Sequence, residues 1–398
     1  MTLRLHLAEA TAGPSRSLTP AQVVTLATVP DLVTINPTAG GRWRLAGRQR
    51  VGTIRLGRND GAVELRIQPK LPVRRIFSLL GDYDDIWQHR QISAATDDLF
   101  VAALVTVFAR AAERVLRGGV LHGYVYREDA LPVLRGRIRT SAQLSRRMGL
   151  PTAIEVAYDD YLTDIPENRI LLGAIDLAQA LPGVAGTTVA LLRHLAGRLV
   201  GVTPIRPGAL LPPWWHTQLN ERYVPALQLA ELILAGASLQ PEGSQAIQID
   251  GFILNMAQIF ERFLTRRLTT ALPQHSLRCV SQQGHRLDQQ KRARFQPDIL
   301  IYRDGRPIVV VDAKYRNLDG TPPTAHLFQM ISYCTALGLT EGHLVYAAGT
   351  PPAEPYRINN SDIRVHLHVL DLNQESTDLA IAVATLVDRL AASSEDQA

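Results

Sequence analysis

The stretch Arg294-Phe295-Gln296-Pro297-Asp298-Ile299-Leu300-Ile301-Tyr302-Arg303-Asp304-Gly305-Arg306-Pro307-Ile308-Val309-Val310-Val311-Asp312-Ala313-Lys314-Tyr315 decides how the last third of the chain folds. Two runs rich in Ile, Leu and Val flank Asp304-Gly305, a dipeptide that accepts the positive φ angles of a tight hairpin turn. The reading is a hairpin with strands near 294–302 and 307–315. Each strand is apolar but interrupted by charge. Side chains alternate along a strand, so Asp312 and Lys314 point to the same face. The hairpin sets Asp298 on the neighbouring strand. Three charged groups thus converge at an otherwise apolar strand end, where unpaired charge is expensive and an ion or partner is wanted.

These residue types suit one kind of chemistry. A hard cation takes oxygen ligands, which Asp298 and Asp312 can supply, with the Ala313 carbonyl as a third. Such a cation polarises a phosphoryl oxygen and lowers the pKa of a water molecule. Lys314 can hold the attacking water or offset charge that builds on phosphorus. Glu261, on an upstream helix, is a further metal ligand, a supporting group or a solvated helix charge. Gln329 and Tyr333 are four residues apart, on one face of a helix. His275, His285 and His326 have no zinc-like spacing. No Gly-x-x-x-x-Gly-Lys-Ser/Thr loop is present, so the chain has no phosphate-binding loop of that type.

Outward from the hairpin, the last third reads as helix (252–272), hairpin, helix (325–337), strands (343–348 and 364–372) and a closing helix (377–391), an α/β sandwich with a mixed sheet. Residues 393–398 read as disordered. Residues 1–75 read as β-rich, with short segments at 33–35, 43–45, 51–56 and 62–67 separated by Gly, Pro, Asn and Asp. A helical pattern begins over 76–86. The middle reads as mainly helical, with helices over 97–117, 167–181, 187–199 and 224–235. Residues 236–245, holding Pro241 and Gly243, read as a linker. The expectation is an α+β multidomain chain: a β-rich amino-terminal domain (1–94), a mainly helical middle region (95–245) and a carboxy-terminal α/β domain with a mixed sheet (246–398).

The 398 residues suffice for two or three domains. Cys279 and Cys334 are the only cysteines, too few for a disulfide framework or a cysteine-rich zinc module, and this fits a reducing cytoplasm. No apolar run is long enough for a membrane span, and the opening residues do not read as a secretory signal. The net charge of +5 is compatible with a nucleic-acid partner but does not establish one. Between Gly41 and Arg75, however, ten basic residues face only two acids, Asp60 and Glu64.

The pattern Pro297-Asp298, a gap, then Asp312-x-Lys314 resembles the PD-(D/E)xK nuclease superfamily. Gln329-x-x-x-Tyr333 resembles the arrangement of its RecB-type members, where it contacts DNA or orients the catalytic groups. More specific are Ile67-Gln68-Pro69-Lys70, Leu131-Pro132-Val133-Leu134-Arg135-Gly136-Arg137-Ile138, Tyr158-Asp159-Asp160-Tyr161 and Asp164-Ile165-Pro166-Glu167-Asn168-Arg169. With the Phe260-Glu261 helix they make the chain resemble McrC, the nuclease subunit of McrBC-type modification-dependent restriction systems. The resemblance implies an endonuclease dependent on Mg²⁺ (or Mn²⁺). Catalysis would rest on Asp298, Asp312, Lys314, Glu261, Gln329 and Tyr333, with metal held by Asp298, Asp312, Ala313 and Glu261. It also implies DNA and a ring-forming McrB-like AAA+ GTPase (or ATPase) as partners, stimulated by the amino-terminal part. The basic stretch 41–75 is then a motor-contacting surface, a DNA-contacting surface or both, or else merely a solvated basic face. Arg135, Arg137 and Asn168 either fix local architecture or touch the motor. Two alternatives stay open: a chiefly non-catalytic activator of the ring, and a stand-alone RecB-type repair nuclease. The DNA modification recognised, the nucleotide used and the stoichiometry are not encoded legibly.

Overall fold

The structure, a computed structural model, describes residues 2–57, 59–80, 100–147, 153–181, 183–205, 209–237 and 250–393. Leu3-Arg4-Leu5-His6-Leu7 alternates apolar and polar, the period of a half-buried strand. It forms β1 (Leu3–Ala8), which sequence reading had passed over. After it come α1 (Pro20–Ala27), β2 (Val33–Thr38), β3 (Arg42–Gly47), β4 (Arg50–Leu56), β5 (Val63–Gln68) and α2 (Val73–Leu80). The helix α1 was also unanticipated, yet Thr19 and Gln22 supply a capping box at its start. β1 runs parallel to β5, pairing Leu5 with Leu65 and Leu7 with Ile67, all buried. β2 and β3 form an antiparallel ribbon. The helix expected over 76–86 is seen from Val73 to Leu80, and positions 81–86 lie outside the described residues.

The middle of the chain holds α3 (Phe100–Arg117), β6 (Gly123–Leu131), β7 (Arg137–Ile138), α4 (Thr140–Arg146), β8 (Ile154–Leu162), α5 (Pro166–Ala180), α6 (Gly186–Arg198) and α7 (Val224–Ala237). The first three positions of the helix expected over 97–117 lie outside the described residues, as does most of the expected linker, from 238 onward. Helices α3, α5, α6 and α7 pack on one another as the amphipathic patterns require. Beside them stands a three-stranded antiparallel sheet, ordered β6-β8-β7, so the middle is less purely helical than expected.

Two of the distinctive motifs shape this region. Gly136 has φ +70°, and a Cβ there would lie 2.3 Å from the Ala157 carbonyl oxygen on β8. Replacing it with alanine combines left-handed strain with a backbone clash. Gly136→Ala is expected to cost about 2–4 kcal/mol in chemical denaturation of the full chain; an unchanged midpoint would contradict this. Arg135 lays its guanidinium 4.1 Å from the Tyr158 ring centre and pairs with Asp160. In the other motif, Arg169 makes a two-pronged 2.7 Å contact to Asp164, which also accepts the Thr203 N–H and hydroxyl. Arg169 first, helped by Thr203, holds the Asp164 carboxyl down at about 2 against the desolvation of partial burial.

The remaining elements are β9 (Asp250–Asn255), α8 (Met256–Ala271), β10 (Arg278–Ser281), β11 (His285–Arg286), β12 (Arg294–Phe295), β13 (Ile299–Arg303), β14 (Arg306–Leu318), α9 (Thr324–Leu337), β15 (Glu341–Gly349), β16 (Tyr356–Arg357), β17 (Arg364–Val369) and α10 (Ser376–Ser393). The helix expected from 252 begins instead at Met256. Phe252-Ile253-Leu254 lies in β9, and the Asn255 side chain caps α8 by accepting the Ala257 N–H. A short apolar run fits either element, and the cap decides the boundary. Of residues 393–398, read as disordered, Ser393 closes α10 and 394–398 lie outside the described residues.

β13 and β14 are antiparallel, with Ile299 opposite Val311 and a turn in which Asp304 and Gly305 both have positive φ. β14, β15 and β17 run parallel, giving a mixed six-stranded sheet ordered β10-β13-β14-β15-β17-β16. Its core includes Leu300, Val310, Met330, Leu344, Val365 and Leu367. The molecule is therefore a mixed α/β protein with several sheets.

Two compact units account for the described chain. One combines Met1–Gly52, Leu56–Asp84 and Leu254–Ala398; the other combines Thr53–Arg55 with Asp85–Ile253. Within the first, Glu9 is fully buried, accepting the Lys70 N–H at 3.2 Å and facing the Tyr315 hydroxyl at 3.4 Å. Burial outweighs these contacts and pushes its pKa up to about 7. A folded-state pKa above the unfolded one contributes stability that is complete below about 4.5 and lost as the pH rises through 7. Glu9→Gln is thus expected to stabilise the protein by about 2–3 kcal/mol at pH 8 and not at pH 4. Denaturant titrations at the two pH values test this; an equal effect at both would refute it.

Candidate functional site

The hairpin register sets Asp298, just before β13, beside Asp312 on β14. Asp298 Oδ2 accepts the Ala313 N–H at 2.8 Å, so one of the two carboxylates is fixed to the backbone next to the other. Asp312 and Lys314 share a face, and Lys314 Nζ lies 2.5 Å from Asp312 Oδ2. The ammonium also donates to Gln329 Oε1 at 2.8 Å, and Gln329 Nε2 donates to the Tyr333 hydroxyl at 2.7 Å. Tyr333 in turn stacks on Phe295, with ring centres 5.3 Å apart. Asp298, Asp312, Lys314, Gln329 and Tyr333 thus lie together along β13, β14 and α9.

Glu261 projects from α8 and hydrogen-bonds Gln282, whose side chain and backbone carbonyl also accept from Gln296. Burial raises the Glu261 pKa, and the Asp312 charge adds to it, so Glu261 lies in the electrostatic field of the cluster while bonding elsewhere. Gln282 was not anticipated. Nothing in its local sequence marks it, since its role arises from a turn that brings β10 back beside α8.

The electrostatics are those of crowded, desolvated carboxylates. Burial, then Asp312, then Glu261, push the Asp298 pKa up to about 7, against the Ala313 N–H and Lys314. Burial also raises Asp312, despite Lys314. Asp312 Oδ2 is wholly buried, and the Lys314 ammonium 2.5 Å away offsets its charge. Crowded, desolvated carboxylates that raise one another's pKa fit a hard divalent cation with oxygen ligands.

Lys314 also reaches a cleft of about 690 Å³ lined by Arg48, Arg50, Arg316, Asn255 and His326. Three arginines make one wall basic. Two of them, Arg48 and Arg50, come from the basic stretch noted in the sequence; Arg58 of that stretch lies outside the described residues. His326 hydrogen-bonds the Tyr346 hydroxyl at 2.8 Å. Burial first, then Lys314 and Arg316, lower its pKa to about 4, so it is neutral at pH 7. Of the other histidines considered, His275 lies 3.9 Å from Asp388, and His285 packs against Phe295.

Fold and site together define a mixed α/β protein whose oxygen-donor cluster is suited to a hard cation. Residues 46–347 match the family described as McrBC 5-methylcytosine restriction system component, and the chain belongs to that family. Among solved structures, it is similar to a chain of the refined half-complex from the tetradecameric assembly of Thermococcus gammatolerans McrB AAA+ hexamers with bound McrC. That likeness has 18% identity and a TM-score of 0.52, covering 97% of this chain and 100% of that one. A chain of the Thermococcus gammatolerans McrBC complex is 19% identical at a TM-score of 0.40, covering 67% of this chain and 87% of that one. No curated protein matches the sequence. No helix among the described residues is long and apolar enough to cross a membrane.

Proposed function

We propose that this chain is the McrC-like, DNA-cutting subunit of an McrBC-type restriction complex, acting in the cytoplasm with a ring-forming McrB-like AAA+ partner. The observation that carries the reading is the cluster itself: Asp298 tied to the Ala313 N–H, Asp312 buried against the Lys314 ammonium, and Lys314 held by Gln329. Family membership and the likeness in fold to a chain solved with McrB hexamers support the choice of complex.

In this reading the domain over 246–398 is of PD-(D/E)xK type. Asp298, Asp312 and the Ala313 carbonyl hold Mg²⁺ (or Mn²⁺), with Glu261 as a further ligand or support. Once bound, the ion supplies Lewis acidity toward a phosphodiester. Lys314, fixed between Asp312 and Gln329, holds the attacking water or offsets charge on the reacting phosphate. Gln329 and Tyr333 keep the ammonium aimed: the amide accepts from Lys314 through Oε1 and donates to Tyr333 through Nε2. Arg48, Arg50 and Arg316 along the adjoining cleft suit the backbone of the DNA being cut.

The test combines the full chain with its AAA+ partner, nucleotide and Mg²⁺ on methylated and unmethylated duplex DNA. Cleavage that needs the divalent ion, the nucleotide and methylation supports the proposal. Stimulated nucleotide hydrolysis with no cleavage under any divalent ion refutes it and leaves a non-catalytic coupling role. Cleavage with no partner present points instead to a stand-alone nuclease.

A further inference from the structure

A second cluster lies in the same sheet, away from the carboxylates. The parallel register of β15 and β17 pairs Glu341 with Arg364, His343 with His366 and Val345 with His368. Residues two apart on a strand share a face, so Glu341 and His343 of β15 meet Arg364, His366 and His368 of β17 on one side of the sheet. That side is opposite α9. Gly342 packs under Met330 and Cys334 of α9, while Asp312 and Lys314 pair in register with Leu344 and Tyr346 on the α9 side.

The polar contacts leave one atom over. His366 Nε2 lies 2.5 Å from Glu341 Oε2, and Arg364 lies 2.5 Å from Glu341 Oε1 in an ion pair. His343 Nδ1 lies 2.9 Å from His368 Nε2. His343 is 0% exposed, yet its Nε2 has no hydrogen-bond partner. A buried ring nitrogen with nothing to bond is costly, and such atoms in native proteins usually have a partner or an ion. One donor atom each from Glu341, His343 and His366 lies within 4.8 Å of the others.

We propose that Glu341, His343 and His366 form a zinc site, with His368 as the positioning partner that fixes the His343 ring. Two imidazoles and one carboxylate are a donor set that zinc accepts in tetrahedral geometry; Mg²⁺ and Ca²⁺ prefer oxygen alone. The His343–His368 hydrogen bond is the kind of outer contact that sets tautomer and ring orientation in metal sites. His366 is partly exposed, leaving a route for the ion and a fourth position for water. The site joins two parallel strands that have no hairpin between them, so the ion would cross-link them. β15 also pairs with β14, and His343 is in register with Val311, one residue from Asp312. Zinc would therefore brace the strand next to the one carrying the carboxylates.

The experiment strips the full-length chain with a chelator, then titrates it with Zn²⁺ by calorimetry and with Co²⁺ by visible absorption. The expected result is one Zn²⁺ per chain, an intense tetrahedral Co²⁺ band and a higher melting temperature with zinc. His366→Ala, at a partly exposed position, is expected to weaken zinc binding by about 100-fold or more, and His368→Ala by at least about tenfold. Glu341→Gln keeps the volume and should also weaken it. Asp312→Asn should leave both zinc binding and the Co²⁺ band intact. Absence of zinc binding overturns the proposal. So does binding that survives His366→Ala and Glu341→Gln together, or binding lost in Asp312→Asn.

Discussion

Asp312→Asn is expected to lower DNA cleavage in the presence of the AAA+ partner by about three orders of magnitude or more. Removing a charged ligand forfeits several kcal/mol of stabilisation of developing charge, and about 1.4 kcal/mol is tenfold in rate. The substitution keeps shape and volume at a position only 2% exposed, so the sheet should persist. It removes the negative charge opposite Lys314 while leaving the Gln329 contact that holds the amine. Nucleotide turnover by the partner, stimulated by the variant as by the wild type, separates lost chemistry from lost folding. Cutting at the wild-type rate would remove Asp312 from the proposed centre.

The second large effect is structural. Asn168→Ala should destabilise the unit containing 85–253 by about 1–3 kcal/mol, since two part-buried carbonyls would each lose a donor. Asn168 is 0% exposed, and its Nδ2 donates to the carbonyls of Leu121 and Thr163 at 2.8 and 2.7 Å. Those carbonyls lie just before β6 and just after β8, at the same end of the antiparallel pair, so one amide ties that end to α5. The sequence left open whether Asn168 fixes architecture or touches a partner; its burial favours architecture. The check is urea unfolding followed by tryptophan fluorescence and far-ultraviolet dichroism. A variant as stable as the wild type would contradict the assignment.

Local pattern made parts of this molecule legible. Asp304-Gly305 could be read as a turn because few residues tolerate two successive positive φ angles, and once the hairpin is drawn, alternation sets Asp312 and Lys314 on one face. The boundary at Met256 was harder: Phe252-Ile253-Leu254 is apolar enough for helix or strand, and only the Asn255 cap distinguishes them. β6 and β8 were missed for a physical reason. Tyr124, Tyr126 and Tyr161 are exposed, so the sheet lacks the clean apolar alternation of a half-buried strand. Gln282 and the His343, His366 and Glu341 group depend on pairings between distant segments, which no local periodicity reports. Glu261 shows the middle case: its helix was readable, but its bond to Gln282 was not.

The first compact unit is built from both ends of the chain, with the other unit spliced between them. On the ribosome, β1 and β5 emerge early, but residues from Leu254 onward arrive about 10–30 seconds later at typical elongation rates of about 5–20 residues per second. Until then the nascent amino-terminal segment lacks part of its eventual packing surface, and the Glu9 carboxylate lacks the Tyr315 hydroxyl. Slow translation or premature termination in the inserted region should therefore favour chaperone capture and aggregation of the newborn polypeptide.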